Sequence, residues 1–355
     1  EAGAFPSDRY AVASQILHHG FDPAAWLIEV SPRGDGLLHT EDITRAIDAN
    51  YSRLALVLLG GVNYLSGQVL EMAQIAAYIT ELNQRAVSRG EPEVLLGFDL
   101  AHAVGNVPLS LHEWGVDFAA WCSYKYLNSG AGCLAAIFVH SRHAHNVKKY
   151  PRLTGWWGVP FNPGPRFEMR HAFVSAAGAA GFACSNVNPL MVACVRANLE
   201  LLQRAGGIKA VRRKSLFLTG YLELLLSDRG LTKPRAAGPQ QRARCGVHIV
   251  TPRDPHCRGC QLSLRVIPPR EAADPQRSII SGLTHAFGKM LGSPSSQHNR
   301  PSMRDLEQLL EQRGVVTDAR EPDIVRAAPV PLYNSFLDVR KFVVRLEESL
   351  ELLVG

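Results

Sequence analysis

The chain has 355 residues, of which 46% are hydrophobic and 20% charged, a composition typical of a globular protein with a sizeable core. No apolar run is long enough to cross a bilayer, and the first residues carry no signal-peptide pattern, so we predict a cytoplasmic protein without a membrane partner. The formal net charge is +6. Because the basic residues are scattered, they indicate a solvated basic face or an anionic small ligand rather than a nucleic acid.

The first half of the chain alternates between apolar strands and helical patterns. Short, nearly continuous apolar runs predict buried strands, and apolar residues at helical spacing predict a helix between the first two of them. This alternation favours a mostly parallel sheet with helices on both faces, and thus an α/β fold. The predicted strands are 53–62, 93–98, 116–124 and 133–140, the predicted helix is 72–87, and a short crossover covers 109–115.

The second half changes character after two long helical patterns, 189–206 and 211–228. Short antiparallel strands and two amphipathic helices then predict an α+β domain. We therefore predict a large domain over 1–209, whose N-terminal part is missing because the chain begins at Glu1 rather than at a methionine, and a small domain over 210–355. The stretch 268–302 is rich in Pro, Ser and Gly and is interpreted as an inserted surface loop.

The seven cysteines predict reduced core thiols rather than a disulfide framework, because their number is odd and several lie in apolar surroundings. Cys257 and Cys260 have CxxC spacing beside His256, but no second ligand pair exists, so no metal site is predicted. No GxGxxG or GxxxxGK[ST] motif is present, which argues against a dinucleotide or P-loop enzyme.

Two residues whose side chains could take part in catalysis lie at the carboxyl ends of neighbouring predicted strands, where ligands bind in such sheets. Asp99 ends the second strand, and Lys125 follows the third in DFAAWCSYKYLNSGAG (117–132). A buried amine is a candidate for imine formation with pyridoxal phosphate (PLP), and an acidic partner would keep the pyridine nitrogen protonated. Spacing alone leaves open an Asp that caps a helix and a Lys that extends to solvent.

Longer sequence motifs of the chain resemble those of the kynureninase family, whose members are fold-type-I PLP enzymes. They occur in the family's order along nearly the whole chain. The motifs are AFPSD (4–8), GVNYLSGQ (61–68), GFDLAHAVGN (97–106), WGVDFAAWCSYKYLNSGAG (114–132), GWWG (155–158), CSN (184–186), RGC (258–260) and RAAPVPLYNSF (326–336).

The resemblance implies a role for each matched residue of the large domain. Lys125 matches the imine-forming lysine and α-proton base, Asp99 the carboxylate on the pyridine nitrogen, and Tyr124 a phosphate ligand and proton donor. His102 matches a histidine of the cofactor site. The word Phe5-Pro6-Ser7-Asp8 matches cofactor contacts, with Phe5 stacked on the ring. Without the resemblance, His102 would be interpreted as a structural, hydrogen-bonding histidine.

Three further matches extend the implied site. Trp156 and Asn186 match cofactor-pocket residues that the neighbouring subunit supplies, which implies a homodimer with a shared active site. Arg326 matches the arginine that binds the substrate α-carboxylate as a bidentate pair. Without the resemblance, Trp156 would be read as core and Arg326 as a surface ion pair.

The implied activity is hydrolysis of the Cβ–Cγ bond of L-kynurenine or 3-hydroxykynurenine, which yields anthranilate or 3-hydroxyanthranilate and L-alanine in tryptophan catabolism and NAD biosynthesis. Three departures keep an alternative open. The family's phosphate-binding segment lies upstream of AFPSD, Gly60 stands where serine is expected, and 268–302 has no expected counterpart. The alternative is a truncated or non-catalytic relative that binds cofactor poorly. A cysteine desulfurase is a third reading, for which Cys257 and Cys260 are poorly placed.

Overall fold

The computed structural model describes residues 1–161, 171–236, 243–269 and 301–354. The predicted insertion at 268–302 lies almost entirely outside the described residues. The chain divides into two compact units. The first contains residues 1–31, 38–63 and 69–209, and the second contains 32–37, 64–68 and 210–355.

The first unit is built on a four-stranded sheet in which the strands lie side by side in chain order. β1, β2 and β3 are parallel, and β4 is antiparallel to β3. The strands are Leu56–Gly60 (β1), Leu95–Asp99 (β2), Phe118–Cys122 (β3) and Ala135–Val139 (β4). The helices are Pro6–His18 (α1), Pro23–Trp26 (α2), Thr40–Asn50 (α3), Met72–Val87 (α4), Leu111–Trp114 (α5) and Pro189–Arg204 (α6).

The core of this unit lies where α3 and α4 cover the parallel strands. Ile43 of α3, Ile75 and Ile79 of α4, and Leu96 and Phe98 of β2 are almost fully buried and belong to one apolar cluster. The 3.6-residue period of the helices and the apolar run of the central strand explain this arrangement, because each element needs an apolar partner face. The packed sheet fixes the positions of its strand ends.

The fourth strand differs from the other three in its surroundings. β4 lies at the edge of the sheet, and its first three residues are exposed. An open apolar cavity of about 420 Å³ lies beside this edge and is lined by β3, β4, α6 and the chain between β2 and α5.

Parallel strands with one antiparallel neighbour agree with the mostly parallel sheet predicted from the sequence.

The second unit contains an antiparallel sheet packed against helices. The strand order is β5-β6-β8-β7, and the strands are Gly246–Ile249 (β5), Leu262–Ile267 (β6), Asp318–Arg320 (β7) and Ile324–Ala327 (β8). The helices are Gly207–Asp228 (α7), Met303–Glu311 (α8) and Phe336–Leu352 (α9). Ser302 and Ser335 begin α8 and α9 with capping boxes, which satisfy amide groups at the helix start.

The helices of the second unit bury leucine and valine side chains against its sheet. Leu222 of α7, Leu306 of α8 and Val343 of α9 share an apolar cluster with Leu264 of β6 and Val325 of β8. This second core is separate from the first. None of the helices that the structure describes is long and apolar enough to cross a membrane.

Candidate active site

The site in the first unit forms where β2 and β3 end. Asp99 is the last residue of β2 and lies opposite Ala120 of β3. Its Oδ1 accepts a hydrogen bond from the amide of Ala101 at 2.8 Å, and its carbonyl accepts one from the amide of Gly61 at 2.8 Å. These two bonds fix the side chain and the backbone of Asp99 at the carboxyl end of β2, which is where ligands bind in parallel sheets.

Lys125 lies in the turn that follows β3. The turn closes through a 2.9 Å bond from the amide of Asn128 to the Lys125 carbonyl, and Asn128 has a positive φ of 55°. Gly105, with φ +81°, lies so close to this turn that a Cβ there would be 2.8 Å from the Tyr126 backbone. Only glycine fits at position 105 beside this turn. The turn's hydrogen bond and its close packing on Gly105 fix the backbone from which the Lys125 side chain extends.

Phe5 places its ring beside the lysine. The Lys125 Nζ lies 5.8 Å from the centroid of the Phe5 ring, a cation–π distance. Phe5 directly precedes α1, which begins with Pro6 and carries Asp8 in its first turn. The start of α1 therefore brings an aromatic face and a carboxylate to the end of the sheet.

Asp8 contacts Asp99 directly. Burial, followed by the charge of Asp99 and a hydrogen bond to its carboxylate, raises the pKa of Asp8 to about 7. Lys125 opposes this shift, and Glu1 adds to it. A second negative charge so close to Asp99 is unfavourable, so Asp8 keeps its proton to a higher pH than an isolated aspartate does. The site therefore places two neighbouring carboxyl groups, Asp8 and Asp99, near the amine of Lys125.

Two contributors to the site were not predicted from the sequence. Burial raises the pKa of Glu1, whose Oε1 accepts a 3.2 Å hydrogen bond from Asn63. The sulfur of Cys122 interacts with the hydroxyl of Tyr124 by charge and by hydrogen bonding, and with burial and Asp99 it raises the pKa of Tyr124. Cys122 and Tyr124 are two residues apart at the end of a strand, so alternation could have placed them on one side.

The other predicted residues of this unit lie in different surroundings. His102 packs edge-to-face on Tyr126, with the ring centroids 5.7 Å apart. Trp156 belongs to a short 3₁₀ turn, is 54% exposed and packs edge-to-face on Trp157, and Asn186 is exposed. The structure brings Phe5, Asp8, Asp99, Tyr124 and Lys125 together, and it leaves Trp156 and Asn186 on the surface of the single chain.

Arg326 belongs to the second unit, where it lies in the central strand β8. It is directly opposite Asp318 of β7 and Ser263 of β6. Its guanidinium donates a 2.8 Å hydrogen bond to the Tyr64 carbonyl and forms an ion pair with Asp318. The alternative interpretation expected a surface ion pair; Arg326 does form an ion pair, but its side chain is only 12% exposed.

Asp8 gives a pH-dependent contribution to stability that can be measured without any ligand. Its folded pKa of about 7 exceeds the unfolded value of about 3.9, so the folded state retains a proton that the unfolded state has lost. The stability associated with this proton is complete below about pH 4 and is lost as pH rises through 7. We expect Asp8→Asn to flatten the fall of the unfolding free energy between pH 5 and pH 8.

The measurement is urea unfolding of the wild type and the variant at both pH values. Asp228→Asn, which changes an exposed carboxylate at the end of α7, is the control and should follow the wild type. Parallel pH dependence in the wild type and Asp8→Asn would show that folding does not raise the pKa of Asp8.

The fold places the chain in a known structural class. It resembles the apo cysteine desulfurase of Thermococcus onnurineus with a TM-score of 0.64 and 14% identity, covering 97% of this chain and 70% of that one. It also resembles a cysteine desulfurase of Escherichia coli with a TM-score of 0.59, 17% identity and coverage of 92% and 65%. With a lysine after one strand and an aspartate at the end of its neighbour, the chain is an α/β protein of fold type I.

Sequence relatives define the family. The chain is 43% identical to the kynureninase of Eremothecium gossypii over 99% of its length and 70% of the relative's. It is 44% identical to that of Myxococcus xanthus and 45% identical to that of Xanthomonas campestris, in each case over 98% of this chain and 68% of the relative. The family model "Kynureninase C-terminal domain" matches residues 289–346. The chain belongs to the kynureninase family.

Proposed function

We propose that this chain is a PLP-dependent hydrolase that cleaves the Cβ–Cγ bond of L-kynurenine to give anthranilate and L-alanine, and that it accepts 3-hydroxykynurenine in the same way. The observation that carries the proposal is the cluster of Phe5, Asp8, Asp99 and Lys125 in a member of the kynureninase family. This reaction belongs to tryptophan catabolism and NAD biosynthesis. The alternative of a non-catalytic relative loses support because these residues are retained and assembled.

The cluster fits the ring of PLP. Three carboxylic groups, Glu1, Asp8 and Asp99, interact near the Lys125 amine and the α-amino group of Glu1, and burial and mutual repulsion raise the pKa of Glu1 and Asp8. A protonated pyridine nitrogen is the kind of partner such a site lacks, because it donates a hydrogen bond and carries positive charge. The Phe5 ring offers an apolar face to an aromatic ring. We therefore assign Asp99, supported by Asp8, to the pyridine nitrogen and Lys125 to the aldehyde carbon.

We assign the remaining cofactor contacts from the family match. Tyr124 would bind the phosphate through its hydroxyl, and His102 with the word Phe5-Pro6-Ser7-Asp8 would border the ring. The partly exposed side chain of Tyr124 and the contacts of Phe5 and Asp8 with Lys125 and Asp99 support these assignments.

The residues of the chain then divide the chemistry. Bound PLP supplies an electron sink for the substrate Cα. Lys125, whose amine is held at the site by the turn after β3, acts as the base that takes the proton from Cα and returns it to Cα before alanine is released. Water adds to the γ-carbonyl carbon. Tyr124, whose raised pKa keeps its hydroxyl protonated at neutral pH, donates a proton to Cβ when the bond to Cγ has broken. Arg326 binds the α-carboxylate.

We further propose a homodimer in which Trp156 and Asn186 complete the cofactor pocket of the partner subunit. Large apolar side chains around these residues are exposed in the single chain, including Leu153 at 83% and Leu190 at 70%. Apolar surface of this extent is typical of an interface between subunits. Light scattering should give twice the mass of the chain, and a monomeric mass at micromolar concentration would contradict the shared site.

The cytoplasm is the compartment we propose for this reaction. All seven cysteines lie within the described residues, and none forms a disulfide. Reduced thiols are typical of cytosolic proteins.

The proposed activity is tested by mixing the purified chain with PLP and L-kynurenine and measuring anthranilate fluorescence together with released alanine. We expect both products in equal amounts, and none from the Lys125→Ala variant. The absence of anthranilate from the wild type, with PLP bound, would overturn the proposed reaction. Comparing kynurenine with 3-hydroxykynurenine in this assay determines the preferred substrate.

A further inference from the structure

The carboxylate of Asp318 forms an ion pair with Arg326 in the second unit. The two residues are directly opposite each other on the antiparallel strands β7 and β8, so the backbone register itself brings their side chains together. The Arg326 guanidinium uses one terminal nitrogen for Asp318 and the other for the Tyr64 carbonyl. A buried arginine held at both terminal nitrogens has little freedom to turn.

Asp318 has a second cationic partner. Arg320, two residues along the same strand, donates to the Asp318 carboxylate at 2.9 Å. The group thus contains two guanidinium groups and one carboxylate and has a net charge of +1. Asp318 is 40% exposed, whereas Arg326 is 12% exposed, so the carboxylate lies toward solvent and the arginine toward the interior.

We propose that Asp318 positions Arg326 for the substrate α-carboxylate and that Arg320 offsets the negative charge of Asp318. The inference rests on the proposed function, which assigns the α-carboxylate to Arg326. An arginine fixed before binding loses less side-chain entropy when the substrate arrives. A lone aspartate at that place would repel a second carboxylate, and Arg320 removes much of that repulsion because it shares the Asp318 oxygen.

The test is steady-state kinetics of Asp318→Asn with L-kynurenine and with L-kynurenine amide, which lacks the α-carboxylate charge. We expect the KM for kynurenine to rise about tenfold with kcat within about twofold, in the range produced by removing one member of a coupled ion pair. The KM for the amide should stay unchanged. A residue that only supports the fold would alter both substrates equally.

Two further variants complete the design. Arg320→Gln keeps the Asp318–Arg326 pair and should also raise the KM for kynurenine alone, so it decides the matter if Asp318→Asn does not fold. Asp323→Asn is the matched control, because Asp323 pairs with a different arginine of the same unit, Arg265, at 2.7 Å. It should leave both KM values unchanged.

An unchanged or lower KM for kynurenine in Asp318→Asn, or an equal rise for kynurenine and its amide, overturns the inference. If Asp318→Asn does not fold, an unchanged KM in Arg320→Gln does the same. The wild type in the same assay distinguishes a failure of the proposed function from a failure of the proposed role of Asp318. If it cleaves no kynurenine, the proposed function fails and the role of Asp318 fails with it. If it cleaves kynurenine and the variants match it, only the role of Asp318 fails.

Discussion

Replacing Lys125 with alanine is expected to lower kcat for kynurenine cleavage by on the order of 10³-fold or more, since general-base catalysis alone contributes about 10²–10⁴-fold. Alanine has no amine to bond to the aldehyde of PLP and none to accept the α-proton. Lys125→Arg should be equally inactive, because a guanidinium stays protonated. Anthranilate fluorescence under saturating substrate and PLP measures the effect.

Lys149→Ala is the matched control for this prediction. Lys149 is an exposed lysine paired with Glu93 at 3.0 Å, so its loss should change kcat by less than about twofold. A Lys125→Ala variant that retains more than a tenth of the wild-type kcat would remove the lysine from the reaction and leave its position beside Phe5 unexplained.

Asp99→Asn is expected to lower kcat by about 10²-fold or more and to weaken PLP binding, because a neutral amide cannot stabilise a positive charge on the pyridine nitrogen. Asparagine retains an oxygen that can accept the hydrogen bond from the Ala101 amide, so the turn after β2 should remain intact. The loss should therefore appear in kcat and in the PLP dissociation constant, with little change in thermal stability.

Fluorescence titration with PLP and the kinetic assay measure the two effects of Asp99→Asn. Asp228→Asn removes an exposed carboxylate far along the chain and should match the wild type in both. Wild-type PLP affinity together with wild-type kcat in Asp99→Asn would contradict the assignment of Asp99 to the cofactor.

The sheet and the lysine site were largely predictable from local sequence. The apolar runs that form β1, β2 and β3 and the helical spacing of α4 require burial on defined faces, and period alone reveals such faces. The placement of Asp99 and Lys125 at neighbouring strand ends follows from parallel topology. Spacing alone did not distinguish a cofactor site from a helix cap and a solvent-exposed lysine. The family resemblance, which is confirmed, indicated the cofactor site.

Other elements could not be predicted because they lack that periodic signal. α1 buries none of its side chains, so it has no apolar stripe to find, although Pro6 at its start and Asp8 in its first turn are typical of a helix beginning. α3 is different, because Ile43 and Ile47 form an apolar stripe at helical spacing from which this helix could have been predicted. The assignment of 32–37 and 64–68 to the second unit also depends on tertiary packing alone.

The electrostatics of the site depend on contacts across long sequence separations. Asp8 and Asp99 meet only because α1 begins at the end of the sheet, and no local pattern pairs residues so far apart. Asp318 and Arg326 are closer in sequence, and their pairing follows from the register of two short strands. Recognising the turn between β7 and β8 would have predicted that ion pair.

The most direct test of the account is to mix the chain with PLP, reduce with borohydride and map the modified peptide by mass spectrometry. We expect a pyridoxyl group on Lys125 and its loss in Lys125→Ala, with Lys149 unmodified at stoichiometric PLP. Modification spread over surface lysines, or none at Lys125, would contradict it.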